Sequence, residues 1–165
     1  MKTPTMSNSD NKGEIRNKVF KYLARREHSK KELYDKLKRK KYDLNAINEV
    51  LEDMSAKDYI NDERFARIWI EQRLNNKPRG PYLIKKELNK KGVSTETQEK
   101  LLAELLPLAE EKRLAKKLAR EWLNKKNLAK FEEEVKIKEK LFRYLVQKGF
   151  HRSISKEVAL DIKLP

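Results

Sequence analysis

Apolar residues recur along this chain at intervals of three and four, the period of a helix that buries one face. Ile15, Val19, Tyr22 and Leu23 form the first stripe. Leu33 and Leu37, with Tyr34, form a second, and Leu44, Ile47, Val50, Leu51 and Met54 a third. Phe65, Ile68, Trp69 and Leu74 predict a fourth helix that stops near Lys77-Pro78. Leu83, Ile84 and Leu88 mark a fifth, and Leu101, Leu102 and Leu105 a sixth. Leu114, Leu118, Trp122 and Leu123 give a seventh, Leu141, Tyr144, Leu145 and Val146 an eighth, and Ile154, Val158 and Ile162 a ninth.

The boundaries carry their own chemistry. Ser29 followed by Glu32 is a capping-box pattern, in which each side chain satisfies the other's free backbone N–H. Pro81 suits a first helical turn, where its missing N–H costs nothing. Gly92 suits the left-handed residue that closes a helix, and Ser94 caps the next one. Residues 1–13 are rich in Ser, Asn, Asp and Lys without periodicity and read as a loose, disordered tail. The expected fold is all-α.

Set side by side, the segments repeat. Leu37, Leu88 and Leu145 share a column; four residues earlier stand Leu33, Ile84 and Leu141. Four residues later come Lys41, Gly92 and Gly149, then Tyr42, Val93 and Phe150. Further on, Val50, Leu101 and Val158 align, as do Met54, Leu105 and Ile162. The copies are offset by 51 and 57 residues, the added length falling around 127–134. This predicts three tandem three-helix repeats over 14–58, 59–107 and 108–165. Units this small bury little alone and gain stability by stacking, so an elongated, curved array is expected.

Charge then narrows the function. The chain holds 41 Lys+Arg against 26 Asp+Glu, a formal charge of +15, which points to an anionic partner. The excess is clustered. Residues 25–41, 73–91 and 112–126 each carry a net +6, and acidic stretches lie between them. Each run alone reads as a solvated helix surface laced with ion pairs. Three at repeat spacing suggest a basic ridge suited to a phosphate backbone. Neutralising about six phosphates would give a log affinity–log salt slope near −5.

Other chemistry is not found. There is no cysteine, hence no disulfide or thiolate metal site, and the four glycines are scattered. His28 and His151 read as turn or cap residues, and Asp62-Glu63 as a helix start complementing the dipole. Trp69 and Trp122 read as core anchors. No nucleophile–base set appears, so neither an enzyme nor a cofactor or metal is expected. No apolar run approaches the ~20 residues that span a bilayer, and the first twelve residues lack a signal-peptide core. A cytoplasmic monomer is the expectation.

Three segments resemble a known family in order and spacing: YLARREHSKKELYDKLKRKKY (22–42), YINDERFARIWIEQRL (59–74) and RGPYLIKKELNKKGV (79–93). They are similar to the signature segments of RecX, the bacterial regulatory partner of the RecA recombinase. The likeness is close over 19–93 and continues as a pattern to Lys163. Lys41 departs from a common glycine, and Asn61 from an acidic residue. The resemblance implies three three-helix repeats and binding to RecA filaments on single-stranded DNA. There, extension, strand exchange, ATP hydrolysis and co-protease activity would be lowered. It also implies direct contact with single- or double-stranded DNA in some members.

Charge and position select Arg25, Arg26, Lys30, Lys31, Lys36 and Arg39 as one candidate contact patch. Arg64, Arg73, Lys77, Arg79, Lys85, Lys86 and Lys90 form another. Two alternatives stand beside the regulator. One is a sequence-nonspecific nucleic-acid-binding protein with no recombinase partner. The other is a peripheral membrane protein, disfavoured because the apolar stripes are spoken for by packing.

Overall fold

The structure, a computed structural model, describes residues 8–76, 78–125 and 133–163. Among these it is all-helical, with no strand. The helices are α1 (Asn8–Leu23), α2 (Lys30–Arg39), α3 (Leu44–Ala56), α4 (Asp62–Asn75), α5 (Pro81–Lys90), α6 (Thr95–Leu105), α7 (Leu108–Lys125), α8 (Glu134–Gln147) and α9 (Arg152–Asp161). The chain divides into two compact units. One holds the residues up to Arg67 with Lys90–Ser94, and the other Ile68–Asn89 with the residues from Thr95 onward.

In the first unit α1, α2 and α3 pack against one another. Ile15, Val19, Leu33, Leu37, Ile47, Val50, Leu51 and Met54 are buried between them, with Tyr22, Leu23, Tyr34 and Tyr42 packed around this core. Helix α1 starts at Asn8, inside the stretch expected to be a loose tail. Polar residues extend it because they are tied to α3: Lys12 pairs with Glu49, and Arg16 with Asp53 at 3.0 Å. Residues 1–7 lie outside the described residues.

The start of α2 departs from the expected reciprocal box. Ser29 Oγ accepts from the Glu32 N–H at 3.1 Å, as foreseen. Glu32 does not fold back; its carboxylate takes Arg26 at 3.0 Å and Lys91 instead. The free Lys30 N–H donates to Asp62 Oδ1 at 2.8 Å, so α4 caps α2.

In the second unit α7, α8 and α9 pack together. Leu114, Leu118, Leu123, Ile137, Leu141, Leu145, Ile154 and Val158 line the interior, with Phe150 1% exposed. Two stripes face differently from the apolar pattern. Helix α4 buries Phe65, Ala66 and Ile70, while Ile68 is 37% exposed. Alanine registers weakly in an apolar pattern, so the true face, centred on Ala66 and Ile70, was displaced. Leu44 also points outward, and Trp69 and Trp122 are only half-buried.

The aligned columns coincide with matching backbone geometry. Helices α2, α5 and α8 end at 39, 90 and 147, and the next helices begin at 44, 95 and 152, offsets of 51 and 57 in both cases. In each intervening turn one residue has positive φ: Lys41 at 64°, Gly92 at 77° and Gly149 at 88°. A contact inside each unit also corresponds. Ser29 Oγ donates to the Lys91 carbonyl at 2.7 Å, and the Gly80 N–H donates to the Lys148 carbonyl at 2.8 Å. Gly80 is required there, because a Cβ would stand 2.2 Å from the Gly149 carbonyl carbon.

Candidate polyanion-binding surfaces

Cations collect where helix dipoles favour them. Lys36, Lys38 and Arg39 occupy the last turn of α2, and Lys90 that of α5, beside carbonyls left without intrahelical partners. The candidate residues are nevertheless not equivalent, because carboxylates from the same chain engage most of them.

In the first patch Lys30 pairs with Glu52 at 2.5 Å and Lys31 with Asp35 at 2.9 Å. Arg26 and Lys91 share Glu32. Burial opposes ionisation of Glu32, but hydrogen bonds from those two cations outweigh it and hold the carboxyl at about 2. Lys36 packs inward: its Nζ lies 2.6 Å from His28 Nε2 and 4.6 Å from the centre of the Tyr22 ring. Its pKa falls through burial and the nearby charges of Arg26 and Arg39. His28 Nδ1 lies 2.9 Å from the Arg26 carbonyl and so carries the ring proton, leaving Nε2 to accept from Lys36. Burial lowers the pKa of this histidine, assisted by Arg26 and Lys36, so the neutral ring is the stable form. Arg39 donates to the Asp35 carbonyl at 3.2 Å, and Arg25 is exposed in the turn after α1.

Arg64 is a structural tie. It binds Glu27 at 2.7 Å and Asp58 at 3.1 Å, and the Glu27 hydrogen bond raises its pKa. In the second patch Arg73 and Arg79 both converge on Glu87, the first at 2.6 Å. The Trp69 indole N–H donates to the same carboxylate at 2.8 Å, and the Arg73 guanidinium stacks 4.4 Å from the Trp69 ring centre. Lys85 reaches Glu99 at 3.4 Å. Lys86 and Lys90 are exposed and have no ion-pair partner among the described residues. Lys77 lies outside the described residues.

A further basic surface lies within the charged run 112–126, outside the two candidate patches. Lys116, Lys117 and Arg120 on α7 border a hollow of about 440 Å³ with Arg113, Glu121 and Asn124. Their spacing was visible; that their neighbours leave them unpaired was not.

Among the described residues, no group of three or more His, Asp or Glu could hold a metal ion. No described helix is long and apolar enough to cross a membrane. His151 is the N-cap residue of α9 without a side-chain capping bond, and a partner the sequence did not disclose holds it in place. Glu111, 1% exposed, accepts from the His151 backbone N–H at 2.7 Å, and its other oxygen lies 2.6 Å from Nδ1.

Comparison with known proteins gives a consistent result. The model for RecX, first three-helix domain, matches residues 16–54, and that for RecX, second three-helix domain, matches 61–102. A protein of Listeria welshimeri named Regulatory protein RecX is 29% identical over 147 residues, covering 88% of this chain and 52% of its own. The chain thus spans about half the length of the curated relatives it matches. A crystal structure of RecX from Lactobacillus salivarius superposes with a TM-score of 0.79 at 24% identity, covering 93% of this chain and 97% of that one. A second, described as regulatory protein RecX, gives 0.81 at 20% identity, covering 98% and 81%. At those identities the structural likeness speaks for the fold alone.

Proposed function

Because this chain belongs to the RecX family, we propose that it is a non-enzymatic regulator of the RecA recombinase. It binds filaments on single-stranded DNA and limits their extension, lowering strand exchange, ATP hydrolysis and co-protease activity. The observation that carries this reading is the pair of RecX domain matches, in order, over residues 16–54 and 61–102. It acts in the cytoplasm, as a monomer, with no cofactor of its own.

The architecture proposed with it is three tandem three-helix repeats. Support comes from the positive-φ residues Lys41, Gly92 and Gly149 in one column, and from the corresponding Ser29–Lys91 and Gly80–Lys148 contacts. Among the sequence-selected cations, Arg25, Lys86 and Lys90 are the proposed first contacts, since no carboxylate competes for them. Arg73 and Arg79 engage a partner only by leaving Glu87, at a cost to both the carboxylate and the Trp69 indole.

The test is filament assembly on single-stranded DNA, followed by electron microscopy with and without this chain. Shorter filaments or fewer of them support the proposal. Filaments of unchanged length and lifetime refute it, and leave the second reading, direct nucleic-acid binding with no recombinase. That reading draws on the unpaired surface cations.

A further inference from the structure

We propose that nucleic-acid backbone is bound along α7, through Lys116, Lys117 and Arg120, and not through the ion-paired cations Lys30, Lys31, Arg73, Arg79 and Lys85 that the charge pattern first suggests. The inference rests on the nucleic-acid component of the proposed function and needs no recombinase.

Three observations carry it. The first is pairing. Lys30, Lys31, Arg73, Arg79 and Lys85 each face a carboxylate of their own chain. Lys116, Lys117 and Arg120 have no ion-pair partner among the described residues; only the flanking Arg113 and Lys112 do, with Glu110 and Glu157. A phosphate arriving at Lys116, Lys117 or Arg120 breaks no ion pair, whereas at Arg79 it must compete with Glu87.

The second is alignment. Helix α7 buries Leu114, Ala115, Leu118, Ala119 and Leu123, which turns residues 113, 116, 117, 120 and 124 to the opposite side as one stripe. Neighbouring members stand roughly 5 to 6 Å apart along a straight axis. A regular row of this kind suits a regularly charged strand. Lys116 and Arg120 also border a second hollow of about 320 Å³, against the end of α9, to which Lys163 adds a cation and Asp161 a single carboxylate.

The third is composition, which selects the partner. The stripe holds Arg113, Lys116, Lys117, Arg120 and Asn124, with no aromatic or aliphatic anchor. Protein interfaces draw their energy from buried aromatic and arginine anchors in packed pockets. Phosphate contacts need no such anchors and are made by Lys, Arg and Asn among other polar groups. Among the described residues this stripe carries no ring for base stacking, which makes the contact one with sugar and phosphate, indifferent to sequence.

The experiment uses the full chain and a fluorescein-labelled single-stranded oligonucleotide, with anisotropy read across a salt series and no recombinase present. Two triple variants remove equal charge: Lys116→Gln, Lys117→Gln, Arg120→Gln, and the paired set Lys30→Gln, Lys31→Gln, Lys85→Gln. Circular dichroism melting establishes that both fold. The α7 variant is expected to lose about tenfold or more in affinity near 0.1 M salt, its salt slope shrinking by roughly 2. The paired set stays within about threefold of the parent. Equal losses in both would overturn the proposal, as would parent-like binding by the α7 variant. Should that variant bind the oligonucleotide normally yet fail to shorten recombinase filaments, α7 is a protein contact and the proposal is wrong. Should the parent chain bind no oligonucleotide, the nucleic-acid component fails while the filament reading keeps its own test.

Discussion

The hydroxyl of Ser29 donates to the backbone carbonyl of Lys91, 62 positions further along the chain, at 2.7 Å. The same oxygen accepts from the Glu32 N–H at 3.1 Å, so one atom caps α2 and ties it to the turn after α5. Ser29 is fully buried, and its replacement leaves both the amide and the carbonyl short of a partner. Ser29→Ala is therefore expected to lower stability by about 2 kcal/mol, more than an ordinary cap, when measured by urea unfolding. A loss below about 0.5 kcal/mol would remove this tie from the account.

Lys41 sits at φ 64°, a left-handed conformation that glycine adopts freely and a lysine does not. Its counterparts in the other turns are Gly92 and Gly149. Lys41→Gly is expected to stabilise the protein by about 1 kcal/mol, the relief of strain exceeding the entropy that glycine adds to the unfolded chain. Gly149→Ala runs the other way, since its Cβ would meet the Leu83 nitrogen at 2.7 Å. Thermal melting of both variants reads the two signs.

The carboxyl of Glu32 is depressed from 4.5 to about 2 by Arg26 and Lys91. A lowered folded-state pKa stabilises above the unfolded value and loses that contribution as pH falls through the folded one. The Glu32 contribution is thus complete above about pH 5 and gone near pH 2, up to roughly 3 kcal/mol in all. Glu32→Gln should be less stable than the parent at pH 7, and the gap should close between pH 5 and pH 2. A gap independent of pH would show that the pairing is not electrostatic.

Glu87 gathers Arg73, Arg79 and the Trp69 indole on a carboxylate only 16% exposed. Glu87→Gln withdraws the charge while keeping the shape, and is expected to destabilise by about 2 kcal/mol. In a Trp122→Phe background the Trp69 fluorescence should shift as its hydrogen bond weakens. An unmoved spectrum would mean that Trp69 is held by packing alone.

Much of the fold was legible because helix periods and stop signals are local. Pro81, Gly92 and Ser94 marked boundaries that the structure places at Pro81, after Lys90 and at Thr95. What was not legible depends on residues distant in sequence. Glu32 satisfies the capping-box pattern, yet Lys91 draws its carboxylate away. Arg79 reads as a candidate contact within a basic run, yet Glu87 holds it. Ala66 carries part of the buried face of α4 but weighs little in a hydrophobic pattern. Charge runs disclose where cations are numerous; only the packing of helices discloses which of them are left without a carboxylate.

The central claim is that this chain restrains a recombinase filament, and the most direct measurement is RecA ATP hydrolysis on single-stranded DNA at increasing amounts of the full chain. The account expects a saturable fall in turnover at substoichiometric ratios to recombinase, without any hydrolysis by this chain alone. Turnover that stays constant up to a molar excess would contradict it.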